Sequence, residues 1–274
     1  MTALLSSLNT VGVILGAMAF VALIEAAIPL HQRGRWNKEH LGPNLALTFL
    51  TFATNSVFNV ALVLILAWTH SKGAGLLHLS AMPALVSTAV VVIVLDFAFY
   101  VAHVTMHAIP GFWRYHSVHH SDPAVDVTTT IRQHPGESVI RYVFMAAPAL
   151  ALGASPAAFS VYRVWSVLNG LLEHANIRVP RYLDILSWVV TTPNMHKVHH
   201  SRIQKQTDSN YGNIFAIFDR LFATYTPCEQ GLSITYGLDG LDNSATQTTA
   251  GLLALPFRQT TATAAEPIAA PQLS

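Results

Sequence analysis

Residues 83–120 read PALVSTAVVVIVLDFAFYVAHVTMHAIPGFWRYHSVHH, and this stretch decides what kind of fold the chain adopts. Its first part, 83–101, is apolar except for Asp96 and has the length of a membrane-crossing helix at 1.5 Å rise per residue. The helix then runs into His103 and His107, spaced i, i+4. Beyond the helix-breaking Ile109-Pro110-Gly111 come His116, His119 and His120, an H-x-x-H-H box, which His196, His199 and His200 repeat. Spacings of three and four place side chains on one helix face, one turn apart. One such pair arises by chance, whereas three related clusters do not. Of the fourteen histidines, ten lie between His103 and His200. Eight box imidazoles exceed the shell of one ion, so two metals sharing them is the simplest arithmetic, and the spacing leaves iron, zinc and manganese open.

Working outward, the chain of 274 residues is 52% hydrophobic and 11% charged, with a mean hydropathy of +0.42. Soluble domains carry about 25% charged residues, so this composition indicates an integral membrane protein. A net charge of +1 supplies no basic field for nucleic acid. The single cysteine, Cys228, excludes an intrachain disulfide and a cysteine-based metal site within one chain. Apolar runs at 11–30, 44–68 and 83–101 read as spans, and 138–153 with 156–172 reads as a helical hairpin whose tip dips into or crosses the membrane. The expected fold is all-α: an integral membrane bundle of about four spans, counting the hairpin, under a histidine-rich helical cap. Residues 1–82 are expected to be an anchor, 83–230 a di-metal catalytic domain, and 231–274 a tail disordered over its last fifteen or so residues. The amino-terminal run reads as a retained anchor, not a cleaved signal. The connection 31–40 carries Arg33, Arg35, Lys38 and Trp36, while 69–82 carries only Lys72, which places the histidine boxes on the cytoplasmic side. Glu25 is expected at the interface, His31 and His40 solvated, and His70 and His78 on the side away from the metals.

Several single residues gain meaning from their position. Asp96, Tyr100, His103 and His107 form one helical stripe, so Asp96 is expected to hold a ligand histidine's second ring nitrogen, with Tyr100 beside it. His174 leaves the hairpin where the metals must lie and is a candidate ninth ligand, with Asn176 next to it. His134 is expected as a substrate-side or hydrogen-bonding neighbour rather than a ligand. An apolar cavity between the spans would offer a lipid carbon to the cluster. Oxidation of an inert C–H bond requires a redox metal pair and dioxygen, which argues for iron, whereas a di-zinc membrane hydrolase using the same histidines is the alternative. A metal carrier or channel would line its ligands along a continuous pore.

The set Asp96, Tyr100, His103, His107, Trp113, His116, His119-His120-Ser121, Arg132 and His134-Pro135 resembles the fatty acid hydroxylase and sterol desaturase superfamily. The resemblance continues through His174, Asn176, His196, His199-His200-Ser201, Asn210-Tyr211-Gly212-Asn213 and Asp219-Arg220-Leu221-Phe222. It covers about residues 85–226. It implies a membrane-bound non-heme di-iron oxygenase that hydroxylates or desaturates a fatty acyl, sterol or related isoprenoid lipid with O2. By this resemblance His103, His107, His116, His119, His120, His174, His196, His199 and His200 are metal ligands. Arg178 stands where fatty acid 2-hydroxylases place a further histidine, which points to nine ligands rather than ten. Zinc can occupy such a site in purified samples. With no flavin or nicotinamide fingerprint, no C-x-x-C and no fused heme domain, electrons are expected from a separate reductase, ferredoxin or cytochrome b5-like protein.

Overall fold

Prolines and glycines cut this apolar sequence into helices at the places where they cannot continue one. In the computed structural model, which describes residues 2–32 and 36–258, ten α-helices and five short 3-10 turns follow one another. The long members are α1 (Thr2–Ala27), α2 (Trp36–Ser71), α3 (Ala84–Ala108), α5 (Pro135–Leu152) and α6 (Pro156–His174). Shorter helices α4 (Pro110–His120), α7 (Pro193–His199), α8 (Gln204–Thr207), α9 (Ile217–Leu221) and α10 (Thr249–Ala254) build the cap. Among the described residues there is no strand, only isolated bridges such as Pro29 to Ile177. The all-α membrane bundle expected from the sequence is the observed one.

Among the described residues three helices are long and apolar enough to cross a membrane: Thr10–Ala27, His40–His78 and Ala84–Ala108. Their outward faces leave Phe20, Leu23, Val57, Trp68 and Leu85 exposed, which suits contact with lipid tails rather than water. The inward faces of α2 and α3 bury Leu62, Leu66, Val91, Val92 and Leu95 against the hairpin α5–α6, which supplies Tyr142, Met145, Phe159 and Tyr162. The hairpin itself does not reach the same apolar length, because Glu137, Arg141, Arg163 and Glu173 interrupt it. Its turn is made by Gly153 at φ +67, while Ser155 caps α6 by accepting from the Ala158 N–H at 3.1 Å. Gly75, at φ +114, lies against the Gly153 backbone so closely that a Cβ on either would clash. This contact fixes the hairpin tip to the loop 69–82, where His70 and His78 face each other 3.1 Å apart at the end remote from the other histidines.

Pro110 starts α4 immediately after the last residue of α3 and its shared cap Ile109, so the two histidine boxes are joined by a sharp bend rather than a loop. Residues 121–137 are not a solvated loop. They form a buried 3-10 turn, Val127–Ile131, capped by Asp126 and surrounded by polar partners. Two expectations need correction here. Glu25 is buried, and its carboxylate accepts the N–H groups of Val127 (2.8 Å) and Asn176 (2.7 Å), so it ties α1 to the cap instead of facing headgroups. His40 is buried inside the first turns of α2, 3.3 Å from Asp122 and 3.5 Å from Asp126, because the helix begins at Trp36, several residues before the expected loop ends. The tail is packed into the fold up to residue 258: Gln247 is buried and α10 packs on α2. Arg33, Arg35 and the expected disorder of the last residues fall outside the described residues.

Candidate metal centre

All nine histidines expected as ligands are brought together, in two groups. His103, His107, His116, His120 and His199 form one, and His119, His174, His196 and His200 the other, with the ligand-capable atoms of each group within 4.8 Å of one another. The split follows helix geometry. Neighbouring residues on a helix point about 100° apart, whereas i and i+4 share a face. His116 and His120 therefore serve the first group while His119 turns to the second, and in the next box His196 and His200 serve the second while His199 turns to the first. Each H-x-x-H-H box thus bridges both groups, with its roles exchanged.

The ring nitrogens show what is missing between them. His103 Nδ1 donates to the Tyr211 carbonyl at 2.8 Å, His199 Nδ1 to Ser209 O at 2.7 Å and His174 Nδ1 to Gly170 O at 2.7 Å. His107 Nδ1 lies 3.1 Å from Asp208 and His116 Nδ1 3.1 Å from Glu137. The Nδ1 partners of His103, His107, His174 and His199 assign the ring proton to that atom, which leaves their Nε2 as a bare lone pair. Yet His174 Nε2 faces those of His119, His196 and His200 at 3.0, 3.1 and 3.1 Å, and His116 Nε2 faces those of His103 and His120 at 3.1 Å. One lone pair accepts one N–H at most, so nitrogens converging three or four together stay unmatched unless a cation sits among them. Burial, reinforced by neighbouring imidazoles, pushes His116, His119, His120, His196, His199 and His200 well below their usual range. They are therefore neutral, the form that binds metal. The two groups of neutral imidazoles fit two metal ions.

Backbone carbonyls orient three of these rings, and the turn that supplies two of them is itself clamped. Asn210 adopts φ +55, a conformation asparagine tolerates, and its side chain holds Met195 O and the Thr226 backbone. Asp219 accepts the N–H groups of Tyr211 and Gly212 at 2.8 Å each. Asp96 accepts those of Ile214 (3.1 Å) and Phe215 (2.9 Å). The placement of Asp96 corrects the expectation that it would touch a histidine: it grips the turn whose carbonyls aim His103 and His199. Tyr100 bonds Thr224 at 2.8 Å and packs on Tyr211. Asn176 also stands elsewhere than expected, bonding the His31 backbone through both side-chain atoms at 3.0 Å. His134 lies outside both groups and caps α5, accepting from Gly136 N–H at 2.9 Å while Nε2 donates to Leu253 O. Glu137, Glu173 and Asp208 were missed by sequence reading. A carboxylate in the first turn after His134-Pro135 was a usable signal for Glu137; the backbone acceptors leave no trace in side-chain identity.

A cavity of about 210 Å³ runs between α1, α2, α5 and α6 and reaches His103 of the first group and His119, His174 and His196 of the second. Residues Val11, Ile14, Phe52, Val60, Val63, Met145, Val164 and Val167 give it long apolar walls. The arrangement is an apolar chamber inside a membrane bundle, closed at one end by two metal-ready histidine groups.

The family described as fatty acid hydroxylase matches residues 88–224, half of the chain, and the chain belongs to that family. Alkylglycerol monooxygenase of Xenopus tropicalis is 31% identical over 143 residues, 52% of this chain and 31% of that protein. An ornithine lipid hydroxylase of Rhizobium tropici is 28% identical over 148 residues, 54% of this chain and 44% of the other. A very-long-chain aldehyde decarbonylase of Oryza sativa is 27% identical over 138 residues, 47% of this chain and 21% of the other. The match spans less than half the length of each of these relatives. No solved structure matches the chain.

Proposed function

We propose that this chain is a membrane-bound di-iron oxygenase that hydroxylates or desaturates a lipid with O2, with 83–230 as its catalytic unit. The observation that carries the reading is the pairing of nine converging imidazoles with a cavity of apolar walls that ends on both groups. Two redox-active iron ions would supply the activation of dioxygen that an unactivated C–H bond demands. The nine histidines would hold them, Glu137, Asp208 and the Tyr211, Ser209 and Gly170 carbonyls would fix ring orientation, and the cavity walls would position the alkyl chain and exclude water. Two of the relatives are named for adding oxygen to a lipid, which favours hydroxylation over desaturation. Fatty acyl, sterol and related isoprenoid substrates all suit the walls. Electrons would come from a separate reductase, ferredoxin or cytochrome b5-like protein.

The histidine end coincides with the connection 28–40, since Leu30 and His31 bond Asn176 and His40 meets Asp122. That connection carries Arg33, Arg35 and Lys38, which supports a cytoplasmic location for the metal centre. The deciding experiment supplies purified, iron-loaded protein in bilayer discs with a lipid extract and reductant, under 18O2 or in H2 18O. Heavy oxygen in a hydroxylated lipid, or in the water released with a new double bond, should derive from 18O2. Product oxygen drawn from H2 18O by a zinc-loaded protein would establish the di-zinc hydrolase and end the oxygenase reading.

A further inference from the structure

The cavity's polar residues gather at a depth the histidines do not explain. Arg163 lines it from α6, three turns before His174, about 16 Å along the helix axis. Helices α3 and α6 run in the same direction toward the cluster, so an equal count back from His103 sets Arg163 near the level of Val92, inside the Ala84–Ala108 span and well short of either end. A guanidinium at that depth is costly and calls for a counter-charge. The nearby carboxylates are committed elsewhere. Asp96, one turn along α3 from that level, accepts the N–H groups of Ile214 and Phe215, Glu137 holds Arg141 at 2.8 and 2.7 Å, and Glu173 accepts from Asn169 at 2.7 Å at the histidine end. Among the described residues Arg163 forms no ion pair, and its cation stands 5.3 Å from the Tyr142 ring. Tyr142 in turn donates to the Asn55 carbonyl at 3.2 Å, which places Asn55 at the same level. The Ser138 Oγ atom, a hydroxyl able to donate to an oxyanion, is buried without a partner on a cavity-lining residue only 1% exposed, one turn nearer the histidines.

We propose that this cavity binds an amphiphile whose oxyanion head group, a carboxylate or a phosphate ester, is held by Arg163 beside Asn55. The planar fork of arginine matches both groups. Its alkyl part follows Phe52, Val164 and Val167 toward the histidines, so the carbon presented there is remote from the head group. The inference rests on the oxygenase reading only for what happens at that carbon; the binding stands apart from it.

The test uses the full chain in phosphatidylcholine discs carrying a bound fluorescent fatty acid, with hexadecanoate, hexadecyl phosphate and hexadecanol as competitors. On the unaltered protein both anions should compete about tenfold or more better than the alcohol. Arg163→Gln should bring all three to the level of the alcohol, while Arg163→Lys should retain a preference for anions. The stronger anion identifies the head group. Bound metal, held at the other end of the cavity, reports whether each variant is folded. Should Arg163→Gln not fold, the unaltered protein and Arg163→Lys decide. Equal competition by alcohol and anions on the unaltered protein, or an intact preference in folded Arg163→Gln, would overturn the proposal. A failure of the 18O2 experiment leaves head-group discrimination untouched, so the two ideas fail separately.

Discussion

Two buried polar clusters lie back to back across α4, and they are built on opposite rules. In one, Arg132 donates to Val118 O, Asn44 Oδ1, Ser121 Oγ and Gln247 Oε1, while Asp122 accepts from Asn44 and Thr129 and stands beside His40. Asn44 and Gln247 spend their remaining hydrogen-bonding atoms on Thr128, Ser121 O and Leu241 O. The donors and acceptors named here answer one another, and the result is a lock joining α2, α4, the 3-10 turn and the tail. In the other cluster the Nδ1 atoms that have partners are satisfied, and the Nε2 atoms converge on nothing but each other. A satisfied network holds a fold together; an unsatisfied one of this size holds something else. Burial is common to both, so burial alone does not separate a structural polar cluster from a binding site.

The sharpest way to break this comparison is to substitute one member of each cluster. His174 Nε2 meets three other ring nitrogens, so His174→Ala should remove about one of two metal ions per chain and reduce turnover to background. Its helices should remain, as read by circular dichroism beside metal analysis. Full metal content in this variant would take His174 out of the site. Arg132→Met has the contrary profile. It removes the guanidinium 3.9 Å from Asp122 and the donors to Val118 O, Asn44 Oδ1, Ser121 Oγ and Gln247 Oε1, at a cost of about 3–5 kcal/mol, so the melting temperature in detergent should fall before any metal is lost. An unchanged melting temperature with depleted metal would show that the two clusters are one functional unit.

These contrasts were only partly legible in the sequence, and the reason is the range of each signal. The span at Ala84–Ala108, the break at Ile109-Pro110-Gly111, the hairpin around Gly153 and the common face of each box are local, set by periodicity and by residues that forbid a helix. The exchange of roles between His119-His120 and His199-His200 is local as well, but it takes meaning only once α4 and α7 face each other. Glu25, His40, Asp96 and Asn176 were misplaced because their partners lie about a hundred residues or more away along the chain, or in His40's case 82 away. Each is a polar residue whose task is a distant backbone or carboxylate group, and no spacing rule encodes that. The histidine pattern shows the rings but not what aims them, since the acceptors of His103, His174 and His199, at Tyr211, Gly170 and Ser209, are carbonyls common to every residue type.

The finest distinction is between the two metal groups themselves, and Glu137 can resolve it. Its carboxylate stands between His116 Nδ1 at 3.1 Å and the Arg141 guanidinium, with no comparable contact to the four-histidine group. Glu137→Gln keeps the shape and an acceptor oxygen but removes the charge that makes the imidazole a stronger donor to metal. Outer partners of this kind are worth about 10–100-fold in metal affinity. Chelator competition on the variant should therefore become biphasic, with one ion released about 10–100-fold more readily and the other as in the unaltered protein. Glu137→Ala, which also frees the ring to turn, should weaken the same ion further. Equal weakening of both ions would mean that the five- and four-histidine groups are not separate sites, because Glu137 reaches the second group only through the first.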